Sequence, residues 1–141
     1  DEKWLLDEIP IRGLGSTCKA GSSFYGRGLA GSNGVPTLTV SAPPKYGTTV
    51  SLVLSNSVGQ ATPGLLLAGL RESTFPFLGG SLLADPLLQV RVVLPAAGLQ
   101  IPFKAPGSSC EIPVCLQLLQ LDSGAKAGLS MTRGLRLDFG N

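Results

Sequence analysis

The chain has 141 residues, 43% of them hydrophobic and only 14% charged, with a net charge of +2 from 11 basic and 9 acidic side chains. That length suits one domain with a core of its own, and the charged share lies well below the roughly 25% usual in soluble domains, so much of the surface is expected to face protein. Basic residues are dispersed and aromatics make up 6%, which supplies no platform for nucleic acid, and no apolar run approaches the roughly 18 to 20 residues of a membrane span.

The first stretch, "DEKWLLDEIPIRGLG", places Trp4, Leu5, Leu6, Ile9, Ile11 and Leu14 ahead of any clear strand. Burying one such side chain stabilises by roughly 1.5 to 3 kcal/mol, so this arm is expected to dock. Trp4, Leu6, Ile9 and Ile11 are the expected anchors, with Gly13 and Gly15 as a hinge. About fifteen extended residues reach some 50 Å, enough to cover an open face of the same molecule or to cross to a neighbouring copy and add a strand to its sheet. The chain opens on Asp1 with no basic start followed by an apolar stretch, so any secretory signal is expected to have been removed.

"GRGLAG" at residues 26–31 matches the dinucleotide fingerprint letter for letter. That motif needs a strand before it, a helix after it and an acid about twenty residues on. Here "SNGVP" follows, and no acid lies near Ser51, so a glycine-rich approach to a β-domain is expected, with "SNG" as a turn.

From Val35 onward short β-rich runs recur at hairpin spacing. "GVPTLTVS" and "GTTVSLVLSN" are separated by "APPKYG", and in the second Val50, Leu52 and Leu54 alternate with Thr49, Ser51 and Val53, the period of a strand with one buried face. "PGLLLAGL", "GGSLLAD", "PLLQVRVVLP", "LQIPFKAP", "IPVCLQLLQLD", "AGLSMT" and "GLRLDFG" follow. The glycines and prolines between them keep each run short, as strands require. "LLLAGL" and "VRVVL" are apolar on both faces, as expected inside a sandwich or beneath an attached arm. In "GLRLDFG", Leu135, Leu137 and Phe139 point inward and Arg136 and Asp138 outward. The reading is all-β: a single β-sandwich, jelly-roll or Ig-like, of about eight or nine strands, with residues 1–30 as an extended arm and glycine-rich linker and residues 31–141 as the sandwich.

The ordered series "GSNGVPTLTV", "PGLLLAGL", "LGGSLLADPLL" and "LQLLQLDSGAKAGLSMTRGLRLDFG" resembles the β-domain near the C-terminus of many large secreted proteins of planctomycete-type bacteria, over about residues 31 to 140. The resemblance implies an extracellular β-sandwich with no assigned chemistry. Three cysteines, Cys18, Cys110 and Cys115, allow one bridge, and three reduced buried thiols are the alternative. Cys110 stands where the family places a cysteine and Cys18 replaces one missing near Leu29. The resemblance thus implies a Cys18–Cys110 disulfide, leaving Cys115 as a buried thiol.

Histidine is absent, which removes the commonest base, zinc ligand and near-neutral acid, and the nine acids show no spacing of a catalytic pair or calcium loop. No enzyme, cofactor or metal is expected. The expected role is an extracellular, self-assembling filament or surface-appendage subunit, a head-to-tail homo-polymer joined by the arm. The alternative is a monomeric secreted module that binds polysaccharide or adheres through loops such as "RESTFPF", with Arg71, Glu72, Phe75 and Phe77, and "APGSSCE".

Overall fold

A computed structural model describes residues 18–107 and 112–141. Among these residues the fold is all-β, antiparallel and without helix, consistent with a β-sandwich. The nine strands are β1 (Gly21–Tyr25), β2 (Leu38–Val40), β3 (Thr49–Leu54), β4 (Thr62–Phe77), β5 (Gly80–Leu94), β6 (Leu99–Lys104), β7 (Val114–Leu121), β8 (Leu129–Met131) and β9 (Gly134–Asp138). They form a large sheet in the order β1-β9-β7-β4-β5, with β8 also paired to β7, and a small sheet in the order β2-β3-β6.

The two-residue period explains the main core. Val50, Leu52 and Leu54 of β3 are buried as the alternation requires, and Leu38 lies beside them on β2. Leu66, Leu94, Leu116, Leu118, Leu135 and Leu137 of the large sheet join Leu38, Leu52 and Leu54 of the small sheet in one cluster. This side of the large sheet is its inner face. Phe139 is buried with them, and Arg136 and Asp138 are half-buried and ion-paired at 3.2 Å.

Two features depart from the sequence reading. Residues 21–25, within the segment expected to be arm and linker, form β1, which pairs along its length with β9. The runs "PGLLLAGL" and "RESTFPF" are one strand of 16 residues, and "GGSLLAD" and "PLLQVRVVLP" are another of 15. The two make a long hairpin turned by Leu78 (φ 46°) and Gly79 (φ 85°), the pair of left-handed residues that a tight two-residue hairpin turn demands.

That hairpin explains why β4 and β7 are apolar on both faces. Its register shifts after Ala68, Gly69 and Glu72, and such bulges bend a strand pair. The distal half folds over the outer face of the large sheet. There Phe77 and Leu82 pack with Leu67, Leu119 and Met131, and the buried Gln117 amide holds the returning strand by accepting from the Leu83 N–H (2.9 Å) and donating to Ser81 (2.9 Å) and Thr132 (3.2 Å) carbonyls.

Residues 26–31 do not open a helix. Leu29 exchanges backbone hydrogen bonds with Met131 at 2.8 and 3.0 Å, and Gly31 bridges to Gly34 (φ 92°) around the Ser32–Asn33 turn. A Cβ on Gly31 would stand 2.0 Å from Asp122 Oδ2, so close packing accounts for that glycine.

Candidate functional site

Two places concentrate unusual residues: a buried polar cluster and an open apolar edge. The cluster centres on Asp122, which is 1% exposed. Its Oδ2 accepts from the Ser32 N–H (2.9 Å) and the Ser57 hydroxyl (2.7 Å); its Oδ1 accepts from the Ser32 hydroxyl (2.6 Å) and the Gly124 N–H (2.9 Å). Ser57 also meets Ser130 at 2.7 Å, and its N–H donates to Gln120 Oε1 at 2.8 Å. Burial pushes the Asp122 carboxyl up, but the donors from Ser32, Ser57 and Gly124 outweigh it and hold the group down at about 2, because hydrogen bonds to the charged form favour it. The donors that hold Asp122 come from Ser32, Ser57 and Gly124, so the cluster ties the Ser32 turn, the Ser57 loop and the end of β7 together.

Cys115 is the other buried reactive group. It is fully enclosed and free, and burial pushes its thiol up, which suppresses the nucleophilic thiolate. Burial likewise raises the Tyr25 phenol next to it, whose hydroxyl donates to the Leu83 carbonyl. Among the described residues no group of three metal-ligating side chains is found, and no helix is long and apolar enough to cross a membrane.

The open edge is β5. Among the described residues the order β1-β9-β7-β4-β5 leaves it unpaired on one side, and Leu87, Leu88, Val90 and Val93 along it are all exposed. Register locates each side chain. Val90 lies opposite Leu66 and Leu88 opposite Ala68, and Leu66 and Ala68 belong to the main core, so Val90 and Leu88 face inward yet remain 38% and 58% exposed. The small sheet does not cover them. A tight turn, closed by Gly98 N–H to the Pro95 carbonyl at 2.8 Å, leads from β5 directly to β6, the edge strand of the small sheet. Leu99, Ile101 and Phe103 of β6 are packed against the core but only partly buried. Among the described residues these two edges, unpaired on their outer sides, flank an apolar seam.

On the outer face, Arg91 and Val93 lie opposite Leu65 and Pro63. They line an apolar groove of about 590 Å³ together with Phe77, Leu119, Leu121 and Leu129. No carboxylate pairs with Arg91 among the described residues, whereas Arg71 and Asp85 form an exposed ion pair at 2.8 Å.

The anchors Trp4, Leu6, Ile9 and Ile11, the hinge glycines Gly13 and Gly15, and Cys110 lie outside the described residues. Cys18 stands where the described chain begins, its carbonyl accepting from the Asn141 N–H at 2.9 Å. "RESTFPF", expected as a loop, is strand: Phe77 turns into the outer cluster and Phe75 stands exposed, so the two do not form one platform. The seam was missed in the sequence because it depends on which strand ends at an edge. Its trace was the two-faced apolar run "VRVVL". Comparison with known protein families, curated proteins and solved structures finds no match to the chain.

Proposed function

We propose that this protein is a non-catalytic, extracellular structural subunit, a two-layer β-sandwich that assembles head to tail as the N-terminal arm of one copy adds a strand to the free β5 edge of the next. The observation that carries this reading is that β5, the edge of the large sheet with no partner on one side among the described residues, also bears inward-facing Leu88 and Val90 that stay exposed. Long apolar edges are normally blunted by charge, proline or a cover because they template strand pairing. On β5 the guard is concentrated at Asp85, already engaged by Arg71, and Pro86, which leaves Arg91 as the single charge from Leu87 to Leu94.

Two further features support the arm as the cover. Residues 1–17 carry four acidic and two basic side chains while the rest of the chain carries five acidic and nine basic, so arm and body are of opposite sign. Cys18 lies by β1, and β1 and β5 are the opposite edges of the large sheet, separated by about 19 Å for four strand spacings. The seventeen residues ahead reach about 55 Å when extended, which is ample for a contact between copies. A head-to-tail contact of this type need not close and so generates filaments.

The full chain is expected to form fibres in negative-stain images, and a chain lacking residues 1–14 to elute as a monomer with an unchanged circular dichroism spectrum. Polymerisation of the truncated chain would remove the arm from the role of connector.

Extracellular placement is supported by the resemblance to secreted β-domains and by the cysteines. Cys115 is enclosed and free, which is compatible with the Cys18–Cys110 pair that the resemblance implies. A peptide map of unreduced protein is expected to join the peptides of Cys18 and Cys110; a peptide joining Cys110 to Cys115 would overturn that pairing.

A further inference from the structure

We propose that the donated strand runs antiparallel to β5 in one register, with Glu8 opposite Arg91, Ile9 opposite Val90 and Ile11 opposite Leu88. This rests on the arm-exchange reading above and specifies the partner residues of that site.

Side chains alternate between the faces of a sheet, and register is set by which face is buried. On β5, Leu88 and Val90 face the seam while Arg91 and Val93 face the outer groove. The donated strand must therefore present apolar side chains two residues apart on its inner side. It must also present an acid and an apolar residue two apart on its outer side.

In "WLLDEIPI" this condition is met when Ile9 and Ile11 point inward. Glu8 then faces outward against Arg91, Leu6 outward against Val93, and Trp4 outward by the same alternation, toward the end of the groove lined by Pro63 and Leu121. All four expected anchors find an apolar neighbour, and Arg91, which has no ion-pair partner among the described residues, finds a carboxylate.

Slipping the strand by one residue reverses every side chain. Glu8 and Pro10 would then cover Val90 and Leu88, setting a carboxylate and a ring against the two apolar groups most in need of cover. Running it parallel with Glu8 kept at Arg91 carries Ile9 and Ile11 to Val92 and Leu94. Of these Leu94 is already fully buried, and the same register brings Leu5 to Leu88 but sets the Asp7 carboxylate against Val90. In the proposed register Pro10 lies opposite Gln89 on the outer side, tolerable for an added edge strand. Asp7 is the single charged residue directed inward, beside Val92 at the seam's end near the Pro95–Gly98 turn.

Directly opposite residues of an antiparallel pair have Cα atoms about 4.5 to 5.5 Å apart, within disulfide range. The test mixes full-length copies carrying Ile9→Cys with copies carrying Val90→Cys under mild oxidation. A cross-linked dimer on a non-reducing gel is expected, and Ile9→Cys mixed with Val93→Cys should give none. In parallel, Arg91→Glu should raise the critical concentration for fibres about fivefold, the scale of one exposed ion pair. The double variant Glu8→Arg/Arg91→Glu should restore it.

Cross-linking at Val93 instead of Val90, or no rescue by the charge swap, overturns the register while truncation to monomers would still uphold arm exchange. A chain carrying both Ile9→Cys and Val90→Cys that closes on itself as a monomer overturns exchange between copies. If the full chain forms no fibres at all, both fall together.

Discussion

Asp122→Ala is expected to cost about 3 to 5 kcal/mol and to lower the melting temperature by about 10 °C or more, the scale set by stranding several buried polar groups at once. The reason lies in the donors it leaves behind. The Ser32 and Gly124 N–H groups and the Ser57 hydroxyl all point at one carboxylate, and no water-sized concession is available to Ser57 and Ser130, which are 2% and 0% exposed. Asp122→Asn retains one acceptor but directs an NH₂ at donors, and should lose about 1 to 3 kcal/mol. The same residue sets an acid limb. Its folded value of about 2 lies below the ordinary 3.8, so between those values the unfolded chain binds more protons than the folded one. Its contribution of about 2 to 3 kcal/mol is complete above about pH 5 and is lost as the pH falls through 4 toward 2. Thermal melts of wild type and Asp122→Ala from pH 7 to pH 2 check this. The wild-type curve should drop over that window, and the variant's should be flatter. Parallel curves would show that the carboxylate is not the group responsible.

What the sequence made legible follows from periodicity. The alternation in residues 49–54 and 134–139 placed Val50, Leu52, Leu54, Leu135, Leu137 and Phe139 in the core, and each is buried. Class and the positions of most strands follow in the same way, since a buried face leaves a two-residue signature. Three features were hidden. "GSSFY" of β1 has exposed serines and an exposed Phe24, so an edge strand held mainly by its backbone pairing with β9 carries no apolar period. The long hairpin looked like separate pieces because bulges at Gly69 and Glu72 break the alternation, and Pro76 and Pro86 inside the strands read as breaks. The two-residue turn at Leu78 and Gly79 between apolar runs was the signal that joined them. The Asp122 cluster was invisible because its members are far apart in sequence; only the Asp-Ser-Gly turn, with Gly124 N–H bonded to the Asp122 side chain, had a local mark. Of the proposed docking site, the apolar surplus of "VRVVL" was visible, whereas its place at a sheet edge is a property of topology.

Gly69→Ala should be the second most damaging change, at about 2 to 4 kcal/mol, and it tests how the outer face is closed. A Cβ at Gly69 would stand 1.9 Å from the carbonyl oxygen of Asp85 and 2.9 Å from its carbon. Both are backbone atoms of the facing strand, so no rotamer change relieves the overlap, and overpacking of this kind costs energy by moving main chain. The backbone that must move is the bend at which β4 and β5 turn over the sheet. Displacing it lifts Phe77 and Leu82 from Leu67, Leu119 and Met131 and frees the Gln117 amide from Ser81 and Leu83, so exposed apolar surface should rise together with the loss of stability. Urea melts should therefore show a lower midpoint, with increased binding of an apolar dye in the absence of denaturant. Gly21→Ala serves as the control, because nothing lies within 4 Å of its added carbon, and its midpoint should stay within about 0.5 kcal/mol of wild type. A Gly69→Ala variant as stable as that control would mean that the hairpin does not press against itself at this bulge. The cover over the outer face would then need another cause.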